Sequence, residues 1–346
     1  MGTPLSRLYQ LFSHEDRLLI LINADPDSIA SALALKRLLW RRVSACVISH
    51  IQPITRAQNE RLVELLGVIL TPYPEVNPAE FNRKALVDNQ PGHHDAFAAH
   101  QYDVVIDHHP RLPDTTARLV DIRPEYGANS SIMTEYLRAA RIKPSLKLAT
   151  ALYYGITTDT SNFERPAIEA DVRAFHYLFK FTRRPLVRSL EFAEFNISML
   201  KYFQQAFSRY RIRHHRLYAF LGPVSTPDIL VILADFFLRA REISWTIVAG
   251  LYQDKLVVIF RNDGLRKNAG ALARKAFGKL GSAGGHASSA RAEVLLEYLK
   301  ENFTPQDPWI KWQDFIIRRV EGRGRLQLTD EQIEISRRRA DWSDFE

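Results

Sequence analysis

The sequence predicts an α/β protein, a parallel-sheet domain followed by a smaller α+β domain, and three observations carry that reading. Across the first half, short β-rich runs alternate with helical patterns, which implies a parallel sheet with helices on both faces. The apolar runs there are continuous rather than alternating, as expected of strands buried on both sides. At 346 residues the chain is also long enough for two hydrophobic cores.

Taken in order, "RLLILIN" (17–23) reads as a strand and "SIASALALKRLLWRR" (28–42) as a helix. "VSACVIS" (43–49) is the next strand, with a helix near 56–67. "KALVD" (84–88), "YDVVIDHH" (102–109) and "ARLVDI" (117–122) are further strands. Helical patterns at 129–140, 145–158 and 168–181 complete a first domain at 1–182. Residues 183–208 read as a helical linker. The second domain, 209–302, opens with strand-like "RIRHHRLYAFLG" and a helical "PDILVILADFFLRA". Two strands follow, "SWTIVAGLYQ" and "LVVIFRN", joined by "DK" as a hairpin. Then come a helical "AGALARKAFGKL", the glycine-rich "GSAGGHASSARA" and a final helix near 293–301. Residues 303–346 form a basic tail with "PWIKWQDF", expected to pack in part and fray at its end.

Composition bounds the function without choosing it. Hydrophobic residues at 46% and charged residues at 25% are those of a soluble globular protein. The lone cysteine, Cys46, excludes an intrachain disulfide and a cysteine-based zinc site, and favours a reducing, cytoplasmic setting. No apolar run is long enough to cross a bilayer, "LLILI" at 18–22 being far too short. The net charge of +8, from 47 basic and 39 acidic residues, permits phosphate-rich ligands but does not require them. Basic clusters at 40–43, 209–216, 318–325 and 337–339 each read, alone, as solvated faces.

Chemistry gathers where the strands of the first domain end. In an open parallel sheet, ligands bind beyond the carboxyl ends of the strands. The first strand runs into "NADPDS" with Asp25 and Asp27; "KALVDNQ" ends in Asp88; "VVIDHH" ends in Asp107, His108 and His109. The helical "ALYYGITTDTSNF" brings Asp159. Each segment alone has a plainer reading: "DPD" as a turn and helix N-cap, Asp88 as the start of a "DNQPG" turn, "NSS" at 129–131 as a cap. Together they crowd so many acids into one crevice that cations are needed to neutralise them. Mixed carboxylate and imidazole ligands suit manganese, with cobalt or iron also allowed and magnesium less favoured. Two ions sharing a bridging carboxylate, roughly 3.5–4 Å apart, would clamp the oxygens of a phosphoryl displacement.

These motifs resemble the DHH phosphoesterase superfamily, with the Asp-His-His triplet at 107–109, "DPDSIASALAL", "LVDNQP" and "GITTDT" in the expected order. "GGHASSARA" is similar to the Gly-Gly-His motif of the DHH-associated substrate domain. The resemblance implies a Rossmann-like DHH domain in which Asp27, Asp88, His108 and Asp159 surround one metal, with Asp88 bridging to a second that Asp25 also binds. It further implies Asp107 as the carboxylate that orients an imidazole, and His109 as the group facing the scissile phosphate. Gly284, Gly285 and His286, with Arg261, would contact substrate; Arg266 and Lys267 are weaker candidates. His93, His94, His214 and His215 match no motif.

Two positions depart from the family pattern. Leu21 stands where a histidine usually opens the first motif, which removes a ligand from the first metal site. Ala290 and Arg291 stand where the associated domain has a small residue and glycine. The resemblance implies a manganese-dependent phosphodiesterase or phosphatase using one or two ions to activate water, with Mg2+ or Co2+ as substitutes. Its substrate would be a short oligonucleotide or a small phosphorylated nucleotide, and a homodimer is compatible with the sequence. The other readings are an inorganic pyrophosphatase or exopolyphosphatase, and a nucleotide-binding regulatory protein with catalysis weakened by Leu21.

Overall fold

A computed structural model of the chain describes residues 2–193, 195–264, 267–300, 303–304 and 306–322. The chain divides into two compact units, Met1–Glu194 and Phe195–Glu346. In chain order the first unit contains α1 (Pro4–Gln10), β1 (Arg17–Ile22), α2 (Pro26–Leu38), β2 (Ala45–His50), α3 (Ala57–Leu66) and the short β3 (Thr71–Pro72). It continues through β4 (Arg83–Val87), α4 (Asp95–Ala98), β5 (Tyr102–Asp107) and β6 (Ala117–Ile122). The helices α5 (Asn129–Ala139), α6 (Leu146–Asp159), α7 (Glu169–Phe179) and α8 (Arg184–Glu191) close it.

The six strands form one sheet in the order β3-β2-β1-β4-β5-β6, every neighbouring pair parallel. The order reverses between β1 and β4, which leaves a crevice at the carboxyl ends of those two strands. Alternate side chains of each strand point to opposite faces. Leu18, Ile20 and Ile22 of β1 therefore join Val87 and Ile106 in the large core beneath α2, α5 and α6. Leu19 and Leu21 join Leu86 and Val105 in a smaller cluster closed by Phe81 and Phe97.

The second unit begins with α9 (Leu200–Arg209), β7 (Arg211–Arg213), β8 (Arg216–Pro223) and α10 (Asp228–Leu238). Next come β9 (Trp245–Tyr252), β10 (Lys255–Asn262), α11 (Ala269–Phe277), β11 (Ser282–Gly285), β12 (Ser289–Leu295) and α12 (Trp309–Glu321). Its sheet has the order β11-β12-β10-β9-β8-β7 and is antiparallel apart from the β8–β9 pair, which α10 connects as a crossover. One face packs on α9 and α10 through residues such as Phe203, Leu230 and Val248. The other packs on α11 and α12, with Trp312 fully buried and stacked on Phe220 at 5.5 Å.

Four sequence expectations change here. The segment expected as a helix near 293–301 is β12 followed by one 3-10 turn at Leu296–Tyr298, because "SARAEVL" alternates with the two-residue period of a strand. The strand-like run at 211–222 is two strands joined at His214–His215. The β9–β10 turn is Gln253–Asp254, since Tyr252 pairs with Lys255. The stretch read as a linker is shared out: α8 buries Val187 and Leu190 in the first core, and α9 buries Tyr202 and Phe203 in the second. Residues of the basic tail beyond 322 lie outside those described.

Candidate metal centre

The crevice at the β1–β4 switch collects the acids and imidazoles one strand at a time. Asp25 caps α2, its carboxylate accepting the Ser28 amide at 2.9 Å while the Ser28 hydroxyl accepts the Asp25 amide at 3.2 Å. The capping reading of "DPD" is thus correct for Asp25 and leaves its second oxygen for other work. Asp27 is the second residue of the same helix and is 1% exposed. Its two oxygens accept the amides of Asn129 at 2.6 Å and Ser130 at 2.8 Å. These are orphan donors of the first turn of α5, so Asp27 caps a helix more than a hundred residues away in sequence. "NSS" is accordingly no N-cap: that position is Ala128, and the helix is capped from outside. Gly155 of α6 makes room for this arrangement, since a Cβ there would meet the Ser130 hydroxyl at 2.5 Å and an Asp27 oxygen at 3.0 Å.

Asp88 follows β4 with φ +58, a left-handed conformation that costs a non-glycine residue on the order of 1–3 kcal/mol. Its amide donates to Ile106 at 2.8 Å, so the ladder to β5 continues while the side chain turns into the crevice. His108 Nδ1 lies 3.1 Å from the Tyr126 carbonyl, an acceptor, which fixes the ring proton on Nδ1 and leaves the Nε2 lone pair facing inward. That Nε2 sits 2.9 Å from Asp159 Oδ2 and 3.4 Å from Asp88 Oδ1. Both Nε2 and Asp88 Oδ1 are buried without a hydrogen-bond partner. A ring nitrogen held by a carbonyl at one end and aimed at carboxylates at the other is how proteins orient a metal-binding imidazole.

Asp107 and His109 make a second pair on the same edge. Asp107 is wholly buried at the end of β5, 2.8 Å from His109 Nδ1, and accepts the Gln90 amide at 2.7 Å. Gln90 is itself fully buried and donates to the Pro110 carbonyl while accepting from the Leu112 amide and the Thr115 hydroxyl. His93 stands edge-on to the His109 ring at 5.3 Å, with its Nδ1 3.1 Å from the Gln90 amide. Sequence reasoning misses Gln90 and His93; the only trace is their place within a few residues of Asp88 in "DNQPGHH".

Electrostatics express the crowding. Burial, then the neighbouring Asp159 charge, pushes the Asp27 carboxyl up to about 7. Burial, then the charges of Asp27 and Asp25, raises Asp88 well above the carboxylate range, and burial raises Asp25. Burial opposes a charged His108, but the Asp159 and Asp88 carboxylates outweigh it and push its pKa up to about 12. Asp107 runs the other way: despite burial, His109 and Gln90 hold it below the usual range. The cluster therefore calls for positive charge at His108 Nε2, from a proton or from a cation. Asp27, His108 and Asp159 present ligand atoms within 4.8 Å of one another, as do Asp88, His108 and His109. Residues of these types, so placed, fit a divalent cation.

Leu21 is fully buried in the apolar cluster with Leu86 and Phe97, so the missing histidine is replaced by core packing. In the second unit, Gly285 pairs with Ala290 at φ +144, and a Cβ there would strike the Ser289 carbonyl. Gly284 has no such constraint, its nearest neighbour being 4.0 Å away. His286 is exposed, with its backbone tied to Gly270 and Ser289. Arg261 is ion-paired with Asp235 of α10 at 2.8 Å. Arg291 pairs along its own strand with Glu293 at 2.6 Å. Arg266 lies outside the described residues.

Comparison with known proteins gives a family. An uncharacterized protein of Methanocaldococcus jannaschii is 35% identical over 280 residues, covering 81% of this chain and 58% of that protein, so the match spans little more than half of the relative's length. Among solved structures, an exopolyphosphatase-related protein from Bacteroides fragilis superposes with a TM-score of 0.64 at 14% identity, covering 91% of this chain and 96% of its own. A pGpG-specific phosphodiesterase from Vibrio cholerae gives 0.43 at 13% identity, with 82% and 95% covered. Residues 17–156 match the model of the DHH family, N-terminal domain, which takes in every candidate ligand except Asp159, three residues further along α6. With its six-stranded parallel sheet and its acids and imidazoles at the carboxyl edge, the first unit carries the DHH family's N-terminal domain over residues 17–156, and the chain has a phosphoesterase-like fold.

Proposed function

We propose that this chain is a metal-dependent phosphoesterase that hydrolyses short oligonucleotides or small phosphorylated nucleotides. The observation that carries this reading is the convergence of His108 Nε2 and Asp88 Oδ1, buried and without hydrogen-bond partners, beside Asp159 at the switch point of the sheet. Asp27, Asp88, His108 and Asp159 would hold one ion, and Asp88 and Asp25 would hold a second where two bind. Manganese suits this mixed donor set, with magnesium or cobalt as substitutes. Once loaded, such a centre offsets charge on phosphoryl oxygens and lowers the pKa of a water toward neutrality.

The remaining roles belong to the protein. His109 is tied through Nδ1 to Asp107, which raises its pKa and leaves Nε2 of this half-exposed side chain free of that bond. It is placed to donate to a phosphoryl oxygen or leaving group. Asp107 orients it, and Gln90 holds Asp107 and the 109–115 loop in one piece. Gly284, Gly285 and His286 are assigned to the phosphate or terminal base of the ligand, and Arg261 joins them only by releasing Asp235.

The test is manganese-dependent release of mononucleotides from a labelled short oligoribonucleotide, with Asp88→Ala as the control. Release that disappears in the control supports the reading. Turnover of pyrophosphate or polyphosphate alone would replace it with a pyrophosphatase or exopolyphosphatase. Binding of nucleotides without turnover of any of them would make the chain a regulatory protein.

A further inference from the structure

A cavity of about 700 Å³ lies wholly within the second unit, and it gathers basic residues that are far apart in sequence. Arg213 and Arg216 reach it from the β7–β8 hairpin, and Lys267 and Lys275 from the start and the outer side of α11. His214 adds an imidazole, and Glu321 at the end of α12 is the acid among its lining residues. That carboxylate is already engaged, accepting the Tyr218 hydroxyl at 2.9 Å and lying 3.6 Å from Arg213. The basic cluster at 209–216, which reads as a solvated face in sequence, thus lines a hollow through Arg213, His214 and Arg216.

The hairpin is built in a way that local stability does not explain. Arg213 and Arg216 are the closing pair of the turn, directly opposite each other across two antiparallel strands. Like charges in that position destabilise a hairpin. Between them, His214 (φ +47) and His215 (φ +62) both adopt the left-handed conformation, which a two-residue turn ordinarily fills with Asn-Gly. The turn is held nonetheless: His215 Nδ1 is 2.9 Å from the Glu242 carbonyl, and the His215 carbonyl accepts the amides of Ser244 and Trp245. An anion lying between the two guanidinium groups reverses the sign of their interaction.

We propose that this cavity is an anion site that takes a run of phosphate groups. Guanidinium groups bind phosphate in a bidentate fork, and lysines add point charge. Trp245 is 4% exposed and the Arg216 guanidinium lies 5.9 Å above its ring, so no bare aromatic face is offered to a base. Recognition is therefore of phosphate and not of base identity, and the ligand is either a free polyphosphate or the backbone of a nucleic acid. The site shares no residue with the carboxylate cluster and does not depend on the reaction proposed for it.

Two probes separate the sources: tripolyphosphate by calorimetry, and a labelled single-stranded RNA about 12 nucleotides long by anisotropy, a length within the span of a small binding surface. Both are titrated into the full chain in EDTA. The Arg216→Ala/Lys275→Ala variant is expected to weaken binding roughly tenfold and to lower the salt slope for RNA by about 0.7 for each phosphate it no longer neutralises. Its melting midpoint is measured alongside, since Arg216→Ala removes both a like-charge pair and the contact over Trp245; Lys275→Ala alone, on the exposed side of α11, is the variant whose folding is safest. Weakened binding of both probes assigns the site to phosphate chains in general, and weakened binding of RNA alone assigns it to a nucleic-acid backbone. Undiminished binding of both probes by the folded variant, dependence on Asp88 instead, or no saturable binding by the native chain would overturn the proposal.

Discussion

The two units hold their charges in opposite ways. In the first, Asp27, Asp88 and Asp107 are at most 3% exposed, and each is aimed by backbone: a helix N-terminus, a left-handed residue, a strand end. In the second, Lys267, Lys275 and His214 stand exposed around an open hollow. Buried charge is unfavourable until something neutralises it, whereas exposed charge is hydrated and waits at little cost. The comparison teaches that the first site is organised before its ligand arrives and stores repulsion, while the second gains most of its energy at the moment of contact.

That contrast can be broken at several points. Asp88→Asn keeps a side chain that tolerates the left-handed region but removes a buried charge. Turnover should fall by about a thousandfold, or about 4 kcal/mol. The metal-free variant should melt higher than the native chain, and manganese should no longer raise its melting midpoint. A lower midpoint without metal would mean that the acids do not strain the empty fold. Trp312→Ala, in the second core, should cost about 3–5 kcal/mol in urea unfolding and leave manganese titration of the first unit unchanged. A shifted metal isotherm would deny the two units their independence.

Smaller effects sharpen the picture. Gly155→Ala forces a Cβ against Ser130 and Asp27, and is expected to cost about 1–3 kcal/mol and to weaken manganese binding, as read by titration and thermal melting. Cys46, whose thiol burial pushes up to about 11, should be nearly inert to a disulfide reagent at pH 8, where roughly one part in a thousand is thiolate. Its reaction rate should climb as pH rises toward that value. Rapid labelling at pH 8 would show that β2 opens readily.

Much of the first unit is legible in the sequence because its signals are local. Continuous apolar runs mark the strands, and acids at the ends of segments mark the crevice, so Asp88, Asp107 and Asp159 stand out. What stays hidden depends on distance. No pattern in "DPDS" announces that Asp27 caps α5, because the partners are 102 and 103 residues away. Gln90 gives no local signal, since only the folded loop brings Asp107, Pro110 and Thr115 around it. In the second unit β12 reads as a helix because leucines follow it closely, and its period of two is short. The basic hollow cannot be read from the sequence at all, as its parts come from a hairpin and two helices that meet only in three dimensions.

The cap that Asp27 provides has a practical consequence. One carboxylate both receives the first-turn amides of α5 and belongs to the cluster of acids and imidazoles, so any cation drawn to its oxygens competes with those two hydrogen bonds for the same electron density. The amide proton resonances of Asn129 and Ser130 are therefore built-in reporters. Their chemical shifts should move as metal is titrated, giving a per-residue readout of occupancy that needs no substrate and no turnover.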